Sequence, residues 1–125
     1  MHTLRSETTE HVAYPQKAYV EHRDIAQVLR AGARYGYDRH AAELGLGMTG
    51  KAWRKEGATW LSMHKRVLGD PDRVFDVTLK RTGPVTGYSK VVDGQPIVVF
   101  LRRGTLDYAS TWRASPAQML AWGLA

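Results

Sequence analysis

At Gly69-Asp70-Pro71-Asp72 the hydrophobic pattern of this chain changes period, and that change constrains the fold more than any other feature. Ahead of the break, apolar residues recur at helical spacing; behind it, they alternate. Pro71 has no amide hydrogen and disfavours helix in the residue before it, so no regular element crosses the break. A chain with its helices on one side and its strands on the other reads as α+β.

The helical half divides at glycines. Ile25, Val28, Leu29 and Ala33 share one face of a helix that starts at Arg23, and Gly36 is its stop signal. Asp38 is placed to cap a shorter helix through Ala41, Ala42 and Leu44, which Gly45 and Gly47 end. Thr49 is the N-cap candidate for a third helix, within Met48–Gly69. On a helical wheel with Lys51 at zero, Trp53, Glu56, Gly57, Trp60, Met63, His64, Val67 and Leu68 fall between roughly 120° and 260°. Lys51, Arg54, Lys55, Lys65 and Arg66 fall within about 60° of zero, with the small residues Ala58 and Ser62 between them. One side of this helix is therefore apolar and aromatic, and the other is cationic. Gly57 costs the helix about 1 kcal/mol relative to Ala and marks a place for a kink.

Beyond the break, Phe75, Val77 and Leu79 alternate with polar residues as in a half-buried strand. Tyr88–Val92 and Gln95–Leu101 flank Asp93-Gly94, a type I′ hairpin signal. Ile97–Leu101 is apolar on both faces, which predicts a central strand covered on both sides. A fourth strand runs from Leu106 to Arg113, with Leu106, Tyr108, Ser110 and Trp112 on one side. Ser115-Pro116 then opens a closing helix to Leu124. The predicted architecture is an N-terminal three-helix segment, an antiparallel meander of three to four strands and a C-terminal helix. It forms a single domain over 23–125, divided into 23–69, 73–113 and 115–124. Residues 1–22, which contain Pro15 and show no sustained period, read as a flexible lead-in.

The absence of cysteine excludes disulfides, thiolate zinc sites and thiol nucleophiles. The histidines at 2, 11, 22, 40 and 64 show no ligand spacing, and no Gly-Lys-Ser/Thr closes the glycines at 45, 47 and 50, so neither a metal nor a cofactor is expected. No apolar run approaches the ~20 residues of a membrane span, and the first residues lack a signal peptide's apolar stretch. The chain reads as cytoplasmic, with no membrane partner.

The net charge is +6 and the isoelectric point about 9.8, which points to an anionic partner. Residues 23–66 carry nine basic and four acidic side chains, so the excess lies in the helical half. The candidate nucleic-acid-binding residues are Lys51, Arg54, Lys55, Lys65 and Arg66 on the third helix, with Arg102 and Arg103 beside a turn glycine. A lysine- and arginine-lined face is also what a solvated helix presents. Trp53, Trp60, Trp112 and Trp122 offer base-stacking surfaces in principle, but seven-residue spacing puts Trp53 and Trp60 on the core side.

Ala41-Ala42-Glu43-Leu44-Gly45-Leu46-Gly47-Met48-Thr49 resembles the end of the first helix and the turn of helix-turn-helix DNA-binding proteins. The resemblance covers residues 38–56 and implies that Gly50–Glu56 enters the DNA major groove, with the Asp93-Gly94 hairpin as a wing. The sequence departs from the pattern at Lys51, where that family places a branched apolar residue. Duplex DNA is thus favoured over RNA as the partner, in a regulatory role, and a homodimer would suit palindromic half-sites.

Helices followed by a meander also look like the small metal-independent ribonuclease toxins of the colicin and RelE-like type. That resemblance implies chemistry on the sheet, with Lys80, Arg102, Arg103, Asp107, Tyr108, Thr111, Arg113 and His64 as candidates. A third reading is a protein-binding adaptor or inhibitor from a phage or mobile element.

Overall fold

The computed structural model describes residues 12–14 and 19–124. Helix α1 (His22–Val28), a π-helical turn (Leu29–Ala33), helix α2 (Arg34–His40) and a 3-10 turn (Ala41–Leu44) follow one another directly. Helix α3 spans Trp53–Gly69. Strands β1 (Arg73–Leu79), β2 (Gly83–Val92), β3 (Gln95–Arg102) and β4 (Tyr108–Arg113) precede the short helix α4 (Pro116–Ala121). The order is α+β, as the period change requires.

Two helix boundaries differ from the sequence reading. Gly36 does not stop the first helix: it is buried inside α2, and a Cβ there would overlap the Tyr108 hydroxyl. Its lack of a side chain serves strand packing, so Asp38 lies inside α2 and caps nothing. The chain leaves the helix only at Gly45, in the left-handed region at φ 74°. Helix α3 then starts at Trp53, with Ala52 in the N-cap position and no side-chain cap. Thr49 is therefore not its N-cap.

The four strands form one antiparallel meander in the order β1-β2-β3-β4. Asp93 at φ 48° and Gly94 at φ 83° make the tight β2–β3 turn, with the two positive φ values a type I′ turn demands. Residues Ile97–Leu101 of β3 are all buried, because both sheet faces are covered. On one face Val92, Ile97, Val99 and Leu101 pack against Tyr37, Trp60, Met63 and Val67 of the helices. On the other, Phe75, Val77, Val98 and Phe100 pack around Trp122, with partly buried Met119 and Ala121 of α4 beside them. Phe75 stacks on Trp122 at 5.2 Å between ring centroids. Truncating a buried aromatic of this kind costs about 3–5 kcal/mol, so each layer depends on its own large rings.

Strand β4 does not keep the predicted alternation. Leu101 pairs with Tyr108 and Phe100 with Ser110, which leaves Ala109 as an extra residue. The bulge turns Tyr108 to the helical side while Trp112 packs on the α4 side. The two aromatics expected on one face thus serve different layers. Ser115 caps α4 as expected: its hydroxyl accepts from the Gln118 amide at 3.1 Å, and the Gln118 side chain accepts from the Ser115 amide at 2.9 Å.

Parts of the predicted lead-in pack on the domain. Ala13 forms a bridge with Asp76 of β1, and buried Val20 donates its amide to the Leu68 carbonyl at 2.8 Å. Residues 1–11 and 15–18 of that segment lie outside the described residues. Among the described residues, no helix is long and apolar enough to cross a membrane.

Candidate nucleic-acid interface

Helix α3 sorts its side chains as the wheel predicts. Gly57, Trp60, Met63, His64, Val67 and Leu68 are buried, and Arg54, Lys55, Ala58, Ser62, Lys65 and Arg66 are exposed. Lys51 is exposed in the connection just ahead of the helix. Among the described residues, no carboxylate lies within ion-pair distance of Lys51, Arg54, Lys55, Lys65 or Arg66. Among the described residues, no ion pair therefore neutralises the positive charge of this face.

Its one acid is turned away from it. Glu56 accepts from the Thr49 amide at 2.9 Å, the Gly50 amide at 3.2 Å and the Tyr37 hydroxyl at 2.6 Å. The Tyr37 hydroxyl in turn accepts from the Ala52 amide at 2.8 Å. The hydrogen bond from Tyr37, followed by that from the Thr49 amide, holds the Glu56 carboxyl below its ordinary pKa. Burial, followed by the bond to Glu56, raises the Tyr37 phenol. Together the two side chains fix the Thr49–Ala52 backbone and so the position of Lys51. Sequence reading missed this clamp, because Thr49 and Glu56 are seven apart and a capping box needs three.

The connection from Gly45 to Ala52 is eight residues long. A helix-turn-helix joins its helices with three or four. Lys51 accordingly lies in the connection, and α3 is not joined to the preceding helical turn by that motif's short turn. The β2–β3 turn stands beside α3, where Val92 and Asp93 share a shallow depression with Thr59, Ser62, Met63 and Arg66.

Arg102 and Arg103 do not join this face. They sit at the far end of β3 from the Asp93-Gly94 turn, about 23 Å away along the strand. Arg102 donates to the Thr82 carbonyl at 3.1 Å, and Arg103 lies 3.9 Å from the Asp76 carboxylate.

The candidates for chemistry on the sheet are divided as well. Lys80, Arg102, Arg103 and Asp107 are exposed at one sheet end, while Arg113 is at the other, donating to Gln95 at 3.1 Å. His64 and Thr111 are fully buried, and Tyr108 meets them in the helix–sheet layer. Burial lowers the His64 pKa to about 4 and raises that of Tyr108 to about 12. These three groups form a hydrogen-bonded chain between helices and sheet, with His64 and Thr111 buried and Tyr108 partly so. Of the tryptophans, Trp60 and Trp122 are fully buried. Among the described residues, no group of three or more histidine and carboxylate side chains is arranged to hold a metal ion.

No protein-family model, curated protein or solved structure matches this chain.

Proposed function

We propose that the protein binds double-stranded nucleic acid, DNA in preference to RNA, by laying the outer side of α3 against the phosphate backbone. The observation that carries this reading is the set of five exposed cations with no carboxylate partner among the described residues. A face retained only for solubility usually intersperses both signs.

Spacing supports a duplex. Lys51, Arg54 and Lys55 form one group and Lys65 and Arg66 another, about 16 Å apart along the helix at 1.5 Å per residue. That separation, with flexible side chains at both ends, suits phosphates on either side of a major groove about 12 Å wide. The small residues Ala58 and Ser62 between the groups let the helix approach closely and provide no large base-reading side chain. Contacts of this kind position a protein on a duplex without reading its sequence.

The test is an electrophoretic mobility-shift series with duplex DNA, single-stranded DNA and RNA, comparing the native protein with K51A/R54A/K55A. Retained duplex affinity in the triple variant would reject this face. Cleavage in the same lanes would identify a nuclease instead.

A further inference from the structure

We infer that Arg34 is a phosphate-binding residue at the flank of this face, aimed by the Trp53 indole, an inference that rests on the reading above. It begins with Gly57, a residue that weakens the middle of a helix by about 1 kcal/mol. The Trp53 ring lies across it: a Cβ at position 57 would stand 2.9 Å from Cε2, 3.0 Å from Cδ2 and 3.1 Å from Cζ2. Three near-equal distances mean that the ring lies flat on the helix, in the space a side chain at 57 would fill. Tyr37 packs its edge against the same ring at 5.0 Å and 73°.

The ring so fixed carries a cation. The Arg34 guanidinium lies 4.8 Å from the Trp53 ring centroid, and Arg34 is exposed. Among the described residues it has neither a carboxylate nor a hydrogen-bond acceptor. Its N–H donors are thus available to a ligand while its guanidinium carbon stands over the indole. A guanidinium held this way has already lost much of the rotamer freedom that binding would otherwise remove, and its fork matches two phosphate oxygens. Trp53 lies in the first turn of α3 on its core side, so Arg34 brings a cation from α2 to the same end of α3 as Lys51 and Arg54, beside the outward stripe and not within it.

The experiment is a fluorescence-anisotropy titration of a labelled 20-base-pair DNA at two salt concentrations, with thermal melts to establish that each variant is folded. R34A is expected to weaken binding about five- to tenfold and to reduce the salt slope by about one. R34K keeps the charge but neither stacks nor forks equivalently, so it should fall with R34A. G57A should weaken binding in the native background but add little to R34A, because both disturb one device.

Native-like binding by R34K or R34A, with K51A/R54A/K55A impaired, would overturn the inference and leave the α3 reading standing. Additive losses from G57A and R34A would equally overturn the indole's role. No binding by the native protein, or none lost in the triple variant, would remove the reading itself.

Discussion

His64 Nε2 accepts a hydrogen bond from the Thr111 hydroxyl at 2.7 Å, and the direction of that bond follows from the other side of the ring. Nδ1 lies 2.8 Å from the Trp60 carbonyl, which can only accept, so Nδ1 carries the proton. The neutral ring then has Nε2 as its acceptor. Thr111 donates to it and receives the Tyr108 hydroxyl, 2.7 Å away.

The buried imidazole makes stability depend on pH. Its folded pKa, near 4, lies below the unfolded value of 6.5. Between these values the unfolded state binds more protons, so the stabilisation is fully present above about 6.5 and is lost as pH falls towards 4. Urea titrations should show a loss of up to about 3 kcal/mol across that window. Replacing His64 by Leu should flatten this part of the profile. An unchanged profile would contradict the burial.

Thr111→Val keeps the shape and removes the hydroxyl. It leaves Nε2 of His64 without a donor and the Tyr108 hydroxyl without an acceptor in a closed interior. Equilibrium unfolding should register a cost of about 1–3 kcal/mol, with Thr111→Ser closer to the native protein.

Gly36→Ala should be more damaging than the ordinary helix preference for alanine would imply, because the new methyl meets the Tyr108 hydroxyl. Tyr108→Phe deletes the obstructing oxygen, although ring carbon Cζ would still stand 3.1 Å away. A double-mutant cycle should therefore give a favourable coupling of about 1 kcal/mol or more. Simple additivity would mean that the two side chains do not compete for one space.

Glu56→Ala removes the acceptor shared by the Thr49 and Gly50 amides. Hydrogen exchange at those two amides should accelerate at least about tenfold while exchange in β3 stays protected, since local opening is independent of the core. Because the Glu56 carboxyl titrates below its ordinary pKa, its contribution is present above about 4.5 and is lost in more acidic solution.

For nucleic-acid binding, the five cations of the α3 face together with Arg34 predict a slope of log affinity against log salt of about −5.4 with duplex DNA. K51A/R54A/K55A should reduce that slope to about −2.7. A weakened but equally salt-sensitive variant would point to misfolding rather than lost contacts.

How much of this was legible in the sequence depended on range. Hydrophobic period fixed the element types, and Asp93-Gly94 and Ser115-Pro116 identified a turn and a cap, because those are local effects. The wheel found the buried and cationic sides of α3 for the same reason. Gly36 misled because it answers to Tyr108, seventy-two positions on. The β4 alternation failed at Ala109 because a bulge is decided by pairing with β3. Within the candidate site, Lys51, Arg54, Lys55, Lys65 and Arg66 could be listed from spacing. Arg34 could not, since only tertiary packing brings it over Trp53.

The π-helical turn at Leu29–Ala33 sets the rotational phase of everything up to His40. Rewinding it as regular α-helix with all five residues retained would rotate α2 by about 100° about its axis. Tyr37 would then swing its hydroxyl away from Glu56 and Ala52, and Gly36 would no longer face Tyr108. Substitutions that favour regular winding in this turn thus act at a distance, on the loop that carries Lys51, even where they make the helix itself more regular.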